Sequence, residues 1–103
     1  MQVAEEEYRK RLKDISDLMD TPHGRRIAHR ILASSGCLAR PANFIDPAQI
    51  SYSEGKRSIG FDIYADIMDA VPKKFQIMIL EAHERQEKIN LRLLKEQGEM
   101  NNE

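Results

Sequence analysis

The sequence predicts an all-α fold, and three observations carry that prediction. Apolar residues recur at three- and four-residue spacing along four segments. Helix caps and helix stops fall between those segments, and no stretch alternates apolar and polar residues as a half-buried strand would. The expected architecture is a compact bundle of about four helices, with a long loop between helices two and three and a long C-terminal helix.

The first helix is expected over about Val3 to Met19, where Tyr8, Leu12, Ile15 and Met19 share one face and Leu18 widens it. Thr21 caps the second, with Pro22 at its first position, where a missing N–H does no harm. Ile27, Ala28, Ile31 and Leu32 form its expected apolar side, and Arg25, Arg26, His29 and Arg30 the polar one. Gly36 supplies a left-handed stop. Cys37 to Ile50 is the longest irregular piece; Leu38, Phe44, Ile45 and Ile50 predict a loop lying against the core. Ser51 and Glu54 have the spacing of a capping box, so the third helix is expected to start near Tyr52 and end at Ala70 or Val71, before Pro72. Its apolar face is Ile59, Ile63, Tyr64, Ile67, Met68 and Val71. Gly55 and Gly60 inside it each weaken a helix by about 1 kcal/mol relative to alanine, which predicts a backbone or a partner coming close.

The fourth helix is expected from Lys73 to about Gln97. Phe75, Ile79, Ala82, Gln86, Ile89 and Leu93 repeat along it as a coiled-coil-like seam. A second stripe, Ile77, Leu80, Leu91 and Leu94, flanks a very polar middle from His83 to Lys88. Residues 1–97 read as a single helical domain and 98–103 as a flexible tail.

A chain of 103 residues has room for one domain and a modest core. Its formal charge of −1 argues against a generic nucleic-acid coat. The charge is bipolar: Thr21 to Ile45 carries four arginines and no acid, whereas Glu5 to Glu7 and the 81–103 segment lean acidic. A single cysteine, Cys37, excludes a disulfide framework and a CxxC zinc site. The longest apolar runs are about four residues, too short for a membrane span. The first residues have neither the cationic nor the apolar region of a secretory signal, so a soluble intracellular product, or one assembled inside a cell, is expected.

Two glycine-and-arginine segments stand out, Thr21-Pro22-His23-Gly24-Arg25-Arg26 and Ser53-Glu54-Gly55-Lys56-Arg57-Ser58-Ile59-Gly60. Each is expected to set adjacent cations in the first turn of a helix, against the helix dipole. Such placement predicts a negative counterpart. Inside the chain the candidates are Asp62, Asp66 and Asp69, in line on one helix face; outside it they are an acidic partner or phosphate. Arg25, Arg26, His29 and Arg30 also form a compact basic face suited to phosphate, although no second helix follows at helix-turn-helix spacing.

Catalytic signatures are weak. Ser53-Glu54-Gly55-Lys56 matches S-x-x-K without the further motifs that such serine enzymes need. His23 and His29 are six apart and share no helix face, so a zinc site would have to be assembled across the fold. No catalytic residue, metal site or cofactor is expected.

The segments Thr21-Pro22-His23-Gly24-Arg25-Arg26, Ile31-Leu32-Ala33-Ser34-Ser35-Gly36-Cys37 and Glu54-Gly55-Lys56-Arg57-Ser58-Ile59-Gly60 occur in an order that resembles a small domain family of tailed bacteriophages, named after the nineteenth protein of a Bordetella phage. The resemblance covers roughly residues 15 to 85. Cys37-Leu38 stands where a valine-phenylalanine type pair is expected, and Lys56 where arginine is common. The resemblance implies a non-enzymatic virion structural or assembly protein, in the internal head, ejection apparatus or head–tail region. Its implied partners are other phage virion proteins in an oligomeric assembly. Its implied location is the virion, and the host cytoplasm before assembly. A small nucleic-acid-binding or regulatory phage protein, using the basic face of helix two, is the alternative.

Overall fold

The structure, a computed structural model, describes residues 2–40, 43 and 46–101. It holds four helices: α1 Gln2–Met19, α2 Pro22–Ser35, α3 Pro47–Ala70 and α4 Pro72–Asn101. No strand occurs among the described residues. Of the four residues expected to hold the loop against the core, Phe44 and Ile45 lie outside those described, whereas Leu38 and Ile50 are exposed and Ile50 belongs to α3.

Thr21 caps α2 as expected: its hydroxyl accepts from the Gly24 N–H at 3.0 Å, and Pro22 stands first in the helix. Gly36 ends the helix in the left-handed region at φ 82°, with its N–H on the Ala33 carbonyl. The start of α3 is a correction. The helix begins at Pro47, not near Tyr52, because Asp46-Pro47 repeats the device of Thr21-Pro22: the Asp46 carboxylate accepts from the Ala48 N–H at 2.9 Å. Ser51 and Glu54 are interior residues, and Lys56 and Arg57 lie well past the first turn. The dipole argument therefore holds for the first cationic motif only. At the other end, α4 runs unbroken through its polar middle and through Gly98 to Asn101, beyond the expected limit at Gln97.

Met19, Leu32, Ile67 and Met78 are fully buried with Ala28, and Ile15, Leu18, Ile63, Tyr64, Val71 and Phe75 pack around them. Tyr64 and Phe75 meet edge to face at 5.2 Å, tying α3 to α4 across the single residue Val71. The core line on α2 is Arg25, Ala28, Leu32 and Ser35. That rotates the expected face: Ile27 and Ile31 are exposed and Arg25 is buried. On α4 the inward position is Met78, with Ile79 turned outward.

Two glycines set how closely the helices approach. A Cβ on Gly24 would overlap the Leu18 carbonyl, whose carbon would lie 2.7 Å away, so α1 and α2 close up only because no side chain stands there. A Cβ on Gly60 would run into Ser35 and come within 2.9 Å of the Cys37 sulfur. Gly55 meets nothing within 4 Å, so no backbone of the described residues comes close there. The Cα envelope measures 69 × 39 × 15 Å with a radius of gyration of 18.1 Å, against about 13 Å for a compact chain of 100 residues. The compact part of the bundle ends near Arg85, and α4 continues past it.

These contacts predict opposite outcomes for two glycine-to-alanine changes, read by chemical denaturation. Gly24→Ala should destabilise by about 2–3 kcal/mol, because backbone must move to admit the methyl group. Gly55→Ala should stabilise by about 0.5–1 kcal/mol, since only the helix preference is at stake.

Candidate interaction surface

Arg25 is the most constrained cation of the chain. Its Nε and one terminal nitrogen donate to the Glu81 carboxylate at 2.6 and 3.2 Å, and the other terminal nitrogen donates to the Met19 carbonyl at 2.9 Å. Met19 ends α1, where carbonyls lack helical donors and the dipole favours a cation. One guanidinium thus joins α1, α2 and α4 through a forked pair. The Arg25 hydrogen bond holds the Glu81 carboxyl below its ordinary pKa, against the opposing effect of desolvation.

The expected pairing of Asp62, Asp66 and Asp69 with the arginines of α2 does not form. The aspartate face of α3 turns toward α1, so its partners come from there. Arg11 holds Asp66 at 3.1 Å, and the Tyr8 hydroxyl donates to Asp69 at 2.6 Å. That bond raises the Tyr8 pKa above its ordinary value. Asp62 has no ion pair among the described residues, and it borders the same shallow surface as Asp66 and Asp69. Tyr8, Arg11 and Glu81 were not foreseen as partners. Their trace in the sequence is spacing: Tyr8 and Arg11 are three apart, as are Asp66 and Asp69, and two antiparallel helices align the pairs.

Arg57 also works internally. One terminal nitrogen donates to the Gly36 and Ala39 carbonyls at 2.7 and 2.9 Å, and the guanidinium lies 5.1 Å from the Phe61 ring centre. It fastens the turn after α2 onto α3. Gly60, three residues on, makes room for Ser35, whose hydroxyl donates to the Leu32 carbonyl at 2.7 Å and accepts from the Cys37 N–H at 3.2 Å.

The remaining motif cations face outward. Arg26, Arg30 and Lys56 are exposed, and Lys56 lies over the Tyr52 ring at 5.3 Å. Arg30 and Lys56 stand on opposite walls of a groove of about 460 Å³ between α2 and α3, where Ile27, Ile31 and Ile59 supply apolar surface. The second open surface is α4 beyond the bundle. Every residue from Gln86 to Asn101 is exposed, including Ile89, Leu91, Leu93, Leu94 and Met100. The coiled-coil-like seam continues there, and none of the described residues buries it.

Among the described residues, no three His, Cys, Asp or Glu side chains are arranged to hold a metal ion. No helix among them is long and apolar enough to cross a membrane. No protein-family model, curated protein or solved structure matches the chain.

Two groups give stability a readable pH dependence. The depressed carboxyl of Glu81 stabilises the fold above the ordinary glutamate pKa of about 4.3, and that contribution disappears as pH falls through the lower folded value. Burial, and secondarily Arg85, push His29 below its ordinary pKa, so its protonation opposes folding as pH drops below about 6.5. Thermal unfolding of Glu81→Gln should show a lower midpoint at pH 7 and a flatter acid limb below about pH 4. His29→Gln should flatten the profile just below about pH 6.5 and leave the acid limb intact.

Proposed function

We propose that this chain is a non-enzymatic structural or assembly protein of a tailed-bacteriophage virion, acting through helix-mediated contacts with other virion proteins. The observation that carries the assembly part is the exposed length of α4 from Gln86 to Asn101. A helix of that length is marginal alone in water, and Gly98 weakens it by a further 1 kcal/mol or so. Five large apolar side chains exposed on such a segment favour burial against a partner. The groove beside Ile31 and Ile59 adds a second open apolar surface on another side of the molecule.

The virion part of the reading rests on the motif order from Thr21 to Gly60. Arg25 and Arg57, one arginine from each motif, both act as internal clamps. That use is what a scaffold motif requires, since its residues then preserve helix geometry and leave contact chemistry to other positions. Internal head, ejection apparatus and head–tail junction are the sites this reading allows, with the host cytoplasm as the location before assembly.

A nucleic-acid role is the second reading. Arg26 and Arg30 support it, being exposed and free of ion pairs among the described residues. The loss of Arg25 to Glu81 leaves a small basic face, so few phosphates could be neutralised.

Mass spectrometry of gradient-purified particles from the encoding phage tests the first reading. The chain should appear at a fixed number of copies per particle, and its absence from particles despite expression would overturn the proposal. For the second reading, DNA affinity should fall with salt and drop further in Arg26→Ala/Arg30→Ala. A salt-independent or undetectable interaction would dismiss it.

A further inference from the structure

The two open apolar surfaces are complementary, and their match names a partner for the assembly role proposed above. We propose that a second copy of this chain occupies the groove: Glu87, Leu91 and Leu94 of one α4 dock between α2 and α3 of the next copy. Ile27, Ile31 and Ile59 line that groove at 53, 42 and 63% exposure. Two helices side by side form a trough whose natural occupant is a third helix presenting anchors at i, i+4 and i+7. Glu87, Leu91 and Leu94 have that spacing on one face, and the two leucines are 66 and 64% exposed.

Charge supports the match. Glu84 and Glu87 lie on the same side of α4 as the leucines, and all four are exposed. The groove offers Arg30 from one wall and Lys56 from the other. Docking sets leucines against isoleucines while the glutamates meet the two cations, which also disfavours a basic helix in the same place.

A chain's own α4 cannot fill its own groove. On α2, Arg25 binds Glu81 and His29 lies close enough to Arg85 to feel its charge, so that side of α2 already carries α4. Ile27 and Ile31 are two residues further on, about 200° around the helix. The docked helix therefore comes from a neighbour. Such a contact joins unlike surfaces, leaving each copy one unused groove and one unused helix. Copies add head to tail and either close into a ring or extend as a filament.

Sedimentation velocity on the full chain tests this with two blocked variants, Ile31→Glu/Ile59→Glu for the groove and Leu91→Glu/Leu94→Glu for the helix. All four positions are exposed, and circular dichroism checks that each variant folds. The wild type should form concentration-dependent oligomers, and each blocked variant should remain monomeric. A mixture of the two should give a heterodimer and nothing larger, because one intact groove then meets one intact helix. Lys56→Glu should weaken wild-type assembly by at least about tenfold, with Glu87→Lys restoring it. A wild type that stays monomeric to roughly millimolar concentration overturns the proposal. So does an oligomer whose blocked variants fail to pair on mixing, the result expected of symmetric α4–α4 contact. Neither result bears on incorporation into particles, so a failure of self-docking is distinguishable from a failure of the assembly role.

Discussion

The arrangement of the helices depends on burying one cation in the right place. Arg25 sits on the core line of α2, and a guanidinium there is tolerable only if its donors are satisfied. Glu81 supplies the countercharge and Met19 the carbonyl, so α4 and the end of α1 are held at fixed positions around α2. The contact also depends on Gly24. Without the close approach to Leu18 that this residue allows, the Met19 carbonyl would stand away from the guanidinium. A glycine and an arginine adjacent in sequence thus form one device, in which the first sets the distance and the second forms the bonds.

The second motif uses the same pairing with the roles separated along a helix. Gly60 admits Ser35 and Cys37 against α3, and Arg57, one turn earlier, binds the carbonyls that follow α2. Both arginines end on carbonyls at or just beyond a helix C-terminus, where negative partial charge accumulates. Their partners are therefore partly backbone, which no search for complementary acids in the sequence would find. The aspartates of α3 were left for α1, and Arg11 and Tyr8 take two of them.

The sequence carries the helices more clearly than their contacts. Thr21-Pro22, Gly36 and Pro72 mark boundaries through chemistry confined to a few residues, and the structure puts the boundaries there. Asp46-Pro47 is an equally local signal, yet the Ser51–Glu54 spacing competes with it, and only the observed Asp46–Ala48 hydrogen bond decides between them. The burial of Arg25 was not legible for a different reason. Helical periodicity gives the angle between residues, while the angle at which a helix meets its neighbours comes from packing. A rotation of α2 by less than a quarter turn exchanges Arg25 for Ile27 and Ile31. The open groove arises from that rotation, so the candidate surface was hidden by the same ambiguity.

The exchange has a consequence for what the molecule can do alone. Burying Arg25 takes a place on α2 that an isoleucine would have filled, and leaves Ile27 and Ile31 facing outward next to Ile59. Five residues among those described are fully buried, a small core for a chain this long, and α4 carries its apolar seam past the end of that core. Enough apolar surface exists for a larger core, but it is distributed between a groove and a helix that one chain cannot bring together. The clamp that fixes α4 against α2 is also what holds the α4 stripe away from the groove. Burial of both surfaces then requires more than one molecule, and the ion pair that orders the monomer is the reason.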